Sequence, residues 1–147
     1  MKSEKQLPRG IRNNNPLNIR IGNNWYGERK QQTDSIFEQF ISMDWGIRAA
    51  FILLYNYYAK YGCNTIERII NRWAPRNENN TENYVRTVSM LTGIRKDAVL
   101  IPSQAVFTAI LMAMAEVENG GKYLSLKDVK TGWALTPMST CKSPELI

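Results

Sequence analysis

Apolar residues recur at helical spacing from Asp44 onward, whereas the first forty residues show turn chemistry and one short alternating run. In WGIRAAFILLYNYYAKYG (45–62), Ala49, Leu53 and Asn56/Tyr57 follow a 3.6-residue period. Asp44 suits the N-cap of this helix and Gly62 its stop. Asn64 and Glu67 open a short helix in capping-box fashion, with Ile66, Ile69 and Ile70 inward and Pro75 ending it. Thr81 starts a helix through Leu91, closed by Gly93. Pro102-Ser103 begins SQAVFTAILMAMAEVE, apolar nearly all round and therefore predicted to be central. Ser125 and Asp128 suggest a last short helix, with Gly132 following.

The N-terminal third reads differently. Residues 10–30 hold Asn13-Asn14-Asn15-Pro16, Gly22-Asn23-Asn24 and Gly27, residues that favour tight turns and left-handed backbone, so an ordered loop is expected. TDSIFEQFI (33–41) carries β-favouring residues in imperfect alternation and predicts one strand of a small ribbon. The fold class expected is α+β, mostly α-helical: an N-terminal extension at 1–9, one domain over 10–135 and a C-terminal tail over 136–147.

The chain has 147 residues, a single-domain length, and its apolar content of 44% suits a packed core. No window reaches the roughly 18 apolar residues of a membrane span. The N-terminus lacks a signal-peptide apolar segment, which predicts synthesis in the cytoplasm and delivery to a cell wall or phage particle by other means. A net charge of +6 favours polyanionic partners such as nucleic acid or acidic wall polymer. Its 19 basic residues are dispersed, without the stripe or recognition-helix pattern that would argue for nucleic acid. Histidine is absent, which removes Ser-His and Cys-His nucleophiles and most zinc sites. Cys63 is expected as a buried free thiol and Cys141 in the tail; their spacing suggests no metal site. No metal or organic cofactor is implied, and oligomeric state is left open.

With those chemistries gone, the end of the apolar helix draws interest. Phe107, Leu111, Met114 and Glu118 are spaced four, three and four, and share one face. Glu118 therefore ends an apolar stripe at a helix C-terminus, where the dipole disfavours a carboxylate by about 0.3–1 kcal/mol. A carboxyl that keeps its proton is what a general acid needs. A solvent-facing residue at a frayed helix end has the same pattern. Asp34 and Glu38, which share one strand face at period two, could add a second carboxylate or form an exposed acidic face. Trp25, within an Asn/Gly loop, is the best candidate for stacking on a sugar; Trp73 and Trp133 close helical stripes and read as core.

Three segments resemble parts of the lysozyme superfamily. "AEVENGG" is similar to the Glu-Ser-Gly end of the catalytic helix in lytic transglycosylases. "NNNPLNIR", "NNWYG" and "FEQF" are similar to a succession in flagellar-type glucosaminidases, and "NTENYVRTV" (80–88) to a helix of soluble lytic transglycosylases. The Glu-Asn-Gly segment comes last here, which circular permutation would explain. From about Arg9 to Trp133 the chain also resembles a phage-derived family described as virion structural protein P5-like or lysozyme-like, through RGIRNNNPLNIR, GIRAA, RWAPRNENNTENYV and ENGGKY.

The resemblance implies a lysozyme-like fold and cleavage of peptidoglycan glycan strands, by a lytic transglycosylase or muramidase-like reaction. Its alternative is an inactive virion or wall-binding protein that kept the fold, with phage-particle components as partners. Glu118 matches the catalytic glutamate and Tyr84 the tyrosine near it. Asn15, Asn18 and Ile19 match the loop lining the cleft, and Trp25 the aromatic after it. Asn119 stands where serine is usual and could hydrogen-bond an N-acetyl group. Glu78 is ranked as a binding residue at the cleft border.

Overall fold

The computed structural model describes residues 7–76 and 80–140, so Glu78 and Cys141 lie outside the described residues. Among the described residues six helices form the frame: α1 (Arg9–Arg12), α2 (Met43–Tyr61), α3 (Ile66–Trp73), α4 (Thr81–Thr92), α5 (Gln104–Asn119) and α6 (Leu126–Ala134). A 3-10 turn, Pro137–Thr140, follows, with Met138 buried within the stretch expected as a tail.

The helix ends follow local chemistry. Side chains of Thr65, Asn80, Ser103 and Ser125 each accept the backbone N–H three residues on, satisfying a donor the helix leaves open. For α3 the cap is thus Thr65, one residue after the expected Asn64. Helix α2 starts two residues early: Ser42 takes the N-cap position and Asp44 sits in the first turn. Gly62, Gly93 and Gly120 close α2, α4 and α5 at positive φ, a conformation glycine adopts without a Cβ penalty. Gly132 does not follow a helix but lies inside α6, where a Cβ would come within 2.5 Å of the Ile47 side chain. Its bareness lets α6 press closely onto α2.

Helix α5 runs through the middle, as its apolar circumference requires. Phe107, Ile110, Leu111 and Met114 are buried against α2, where Ile47, Phe51 and Leu54 are also fully covered. Tyr55 and Tyr58 meet Phe107 edge-on across that contact. α4 packs on α5 and α3, and α6 on the other side of α2, with Trp133 edge-on to Phe51 at 5.1 Å. Cys63 is a buried free thiol. Among the described residues no helix is long and apolar enough to cross a membrane.

The expected α+β class with a β-ribbon needs correction: the fold is helical, and the described residues form no sheet. Only two isolated bridges appear, Arg20 with Phe37 and Glu28 with Phe40. Residues 36–41 cannot build a ladder because they divide their backbone hydrogen bonds among three partners. Ile36 and Glu38 pair with Ile21 and Ile19, Gln39 and Ile41 with Arg29 and Gly27, and Phe40 with Asn13. Side chains satisfy the remainder. The Gln39 amide group bonds Thr33, Asp34 and Asn13, and Asn15 donates to the Glu38 carbonyl. The backbone polar groups are paired, as burial demands, but by a mesh of turns.

Candidate functional site

Glu118 occupies the last turn of α5, half-buried at the edge of a cleft of about 810 Å³. Three donors from three other segments converge on its carboxylate. Trp73, the last residue of α3, donates its indole N–H to Oε2 at 3.2 Å. Tyr84, in the first turn of α4, donates its hydroxyl to the same oxygen at 2.9 Å. Asn18, in the loop after α1, donates its amide to Oε1 at 3.1 Å. Two donors on Oε2 use both lone pairs of that oxygen, and one on Oε1 leaves a lone pair there for a proton.

Each donor has a reason to be where it is. The hydroxyl of Tyr84 is buried beneath α5 and also lies 3.4 Å from the Met114 carbonyl. Burial first, and then the charge of Glu118, push its ionisation far above the ordinary range, so it stays a donor. Trp73 combines an apolar body packed on the core with one polar N–H, and Glu118 satisfies that N–H. Asn18 adopts φ 55°, a left-handed conformation that asparagine tolerates.

The loop is itself tied in place by buried asparagines. Asn15 is fully buried; its Oδ1 accepts the Ile19 N–H at 2.9 Å, and its amide donates to the Ile19 and Glu38 carbonyls. Asn119 donates to the Pro16 carbonyl at 2.9 Å and to Ala115 at 2.8 Å, joining the end of α5 to this loop. Gly10 of α1 permits the approach, since a Cβ there would lie 2.6 Å from Asn119 Oδ1 and 2.8 Å from Asn18 Oδ1. Neither Asn15 nor Asn119, from which sugar contacts are expected, lines either arm of the cleft. Both are turned inward and hold the scaffold that fixes Asn18 against Glu118.

Asn18 and Ile19 do line the cleft, with Arg20, Phe37, Leu53, Tyr57 and Trp73. A second arm of about 610 Å³ continues from it, sharing Asn23, Leu53 and Tyr57 and adding Trp25, Lys60, Tyr61 and Arg72. Trp25 therefore lies in the second arm, its backbone N–H held by Glu28 at 3.1 Å. Trp73 was read from the sequence as core. Its position as the last residue of α3, two before Pro75, was the available sign of a side chain at an edge.

The other carboxylates are placed elsewhere. Asp34 is covered and accepts both Arg9 guanidinium contacts at 2.6 and 2.7 Å, the Asn13 amide and the N–H groups of Ile36 and Phe37. The Arg9 hydrogen bonds are the chief reason that its carboxyl lies well below the usual range. Glu38 is buried; loss of hydration raises it to about 7, and neighbouring Glu28 adds to the rise. The shared exposed acidic face considered for these two residues does not form. Among the described residues, Glu118 is the acidic side chain that lines either arm of the cleft.

No family model matches the chain. Protein P5 of Pseudoalteromonas phage PM2 is 42% identical to it over 132 residues, a match that takes in 87% of this chain and 81% of that protein. Identity of that extent over most of both chains places this chain in the family of phage Protein P5.

Proposed function

We propose that the protein cleaves the glycan strands of peptidoglycan, with Glu118 as general acid and then general base. The observation that carries this reading is the Glu118 carboxyl at a cleft edge, gripped by Trp73, Tyr84 and Asn18 from three separate segments. Preorganised donors of this kind stabilise a carboxylate at the moment it forms, without rearrangement. Oε1, with its free lone pair, would carry the proton to the glycosidic oxygen as the bond to the anomeric carbon breaks. The resulting carboxylate would take the proton of the sugar's own 6-hydroxyl while that oxygen closes on the anomeric carbon. The products are a free hydroxyl on one fragment and a 1,6-anhydro ring on the other, with no water consumed. A hydrolase would need a second carboxylate across the cleft. Asp34 is committed to Arg9, and Glu38 is buried away from both arms, which favours the single-carboxylate course. The lysozyme-like ancestry suggested by the sequence agrees with this reading and belongs to the same proposal.

A second reading has its own support. The three donors on Glu118 also knit α3, α4, α5 and the Asn-rich loop together, as a purely structural carboxylate would, and the relative is a phage protein. The chain would then be a particle component or wall-binding protein without chemistry. Release of soluble fragments from dye-labelled peptidoglycan separates the two. Under the catalytic reading the wild type releases dye and Glu118→Gln, still folded, does not. No release by either protein from several wall types, with wall binding intact in both, would favour the structural reading.

A further inference from the structure

The second arm of the cleft has a charge character that Glu118 chemistry does not use. Arg72 reaches it from α3, and Lys60 from the last turn of α2. The Arg72 guanidinium lies 3.5 Å from the centre of the Tyr61 ring and 5.3 Å from that of Tyr57. Those two rings stand edge-on to one another, 82° apart. Stacking fixes the plane of a guanidinium while leaving its N–H edge free to meet a planar anion. Among the described residues no carboxylate forms an ion pair with Arg72 or Lys60; the pairs present are Arg9–Asp34, Arg76–Glu82 and Arg95–Asp97. Arg20 adds a third cation where the first arm begins. Arg72, oriented by the two rings, and Lys60, exposed beside it, thus line one recess with Trp25 and Tyr57, both suited to the face of a sugar, and neither cation has a carboxylate partner among the described residues.

We infer that the Lys60/Arg72 arm binds a carboxylate carried by the glycan, so that the cleft selects acid-bearing N-acetyl glycan over its neutral counterpart. This rests on the glycan reading above and deepens it. On a peptidoglycan strand the carboxylate has two possible sources: the lactyl acid of the muramyl sugar once its peptide is removed, or an acidic group of the attached peptide. Both present a planar anion to Arg72 within reach of a sugar seated on the aromatic residues. A bidentate guanidinium–carboxylate contact is worth on the order of tenfold in affinity.

The test is binding of three soluble oligosaccharides to Glu118→Gln, which removes turnover from the measurement. The probes are a neutral chitin oligosaccharide, a peptidoglycan strand stripped of peptide, and a strand that keeps its peptides. At least one acid-bearing strand should bind about tenfold more tightly than chitin. That advantage should shrink when either Arg72→Gln or Lys60→Gln is added, while chitin affinity changes little. Preference for the stripped strand would identify the lactyl carboxylate as ligand, and preference for the substituted strand the peptide; either result upholds the inference. Equal affinity for all three probes, or a preference unmoved in both added variants, would overturn it while leaving glycan binding in place. Binding of none of the three would overturn the glycan reading as well. Circular dichroism melting of each variant confirms that a folded chain is compared.

Discussion

At Glu118 the decisive relation is between one carboxylate and three neutral donors, and it makes a sharp demand on Tyr84. Removing the hydroxyl takes one of two donors from Oε2 but leaves the ring packed beneath α5. Tyr84→Phe is therefore expected to lower the rate of glycan release by roughly 10–100-fold. Its thermal midpoint should stay close to wild type; a variant with unchanged rate would remove Tyr84 from the mechanism. Glu38 makes a different prediction. Its carboxyl, raised from 4.5 to about 7 by burial with Glu28 beside it, holds its proton more tightly in the folded chain than in the unfolded one. That contribution is fully present below about 4.5 and is lost as pH rises through about 7. Denaturant midpoints should thus decline across this window, and Glu38→Gln, neutral throughout, should flatten the decline. An equally steep profile in the variant would contradict it. Much of this scale was hidden in the sequence. The neighbourhood of Glu118 and Tyr84 was legible through a resemblance carried by two short motifs. Asn15 and Asn119 were not, because an asparagine that binds a sugar and one that satisfies a buried turn are spelled alike. Trp73 packs on the core as its stripe predicts, but the hydrogen bond of its N–H to Glu118 was not legible, because the large apolar body outweighs one N–H in any periodicity argument.

At the scale of elements, close backbone approach does as much as side-chain packing. Gly46, in the first turn of α2, lies where a Cβ would overlap the Asn14 carbonyl oxygen. The helix start is thereby seated on the Asn-rich loop that presents Asn18. Gly46→Ala must push loop and helix apart and is expected to cost about 3 kcal/mol or more, measured by denaturant unfolding. A midpoint within experimental error of wild type would show that the loop yields freely. Helices α2 to α5 were readable because each has an apolar run or face, a polar residue at its start and a glycine or proline just past its end; α6 was read from its start, Ser125 and Asp128. The segment at 33–41 was not, since its β-favouring residues are the same whether one partner strand or several turns receive their hydrogen bonds. Only the placement of Asn13, Ile19 and Arg29 around it decides that, and those contacts are remote in sequence. Gly132 carried a similar ambiguity: a glycine that ends a helix and one that admits a neighbouring helix look identical until Ile47 is set against it.

At the scale of the whole molecule, the helical frame serves to hold two loosely related regions in register. The Asn-rich loop contributes Asn18 and one wall of the cleft, the helices contribute Glu118, Tyr84 and Trp73, and Asn119 and Gly46 join them. The net charge of +6 favours polyanionic partners, and three of the dispersed basic residues, Arg20, Lys60 and Arg72, line the two arms of the cleft. Kinship with phage Protein P5 fits this arrangement without deciding its chemistry. The most direct test of the account is mass spectrometry of fragments released from purified peptidoglycan by the wild type and by Glu118→Gln. Fragments from the wild type alone, each lighter by one water than the corresponding reducing-end product, are the expected result. Reducing ends instead would contradict the single-carboxylate course, and no fragments at all would contradict the catalytic assignment of Glu118.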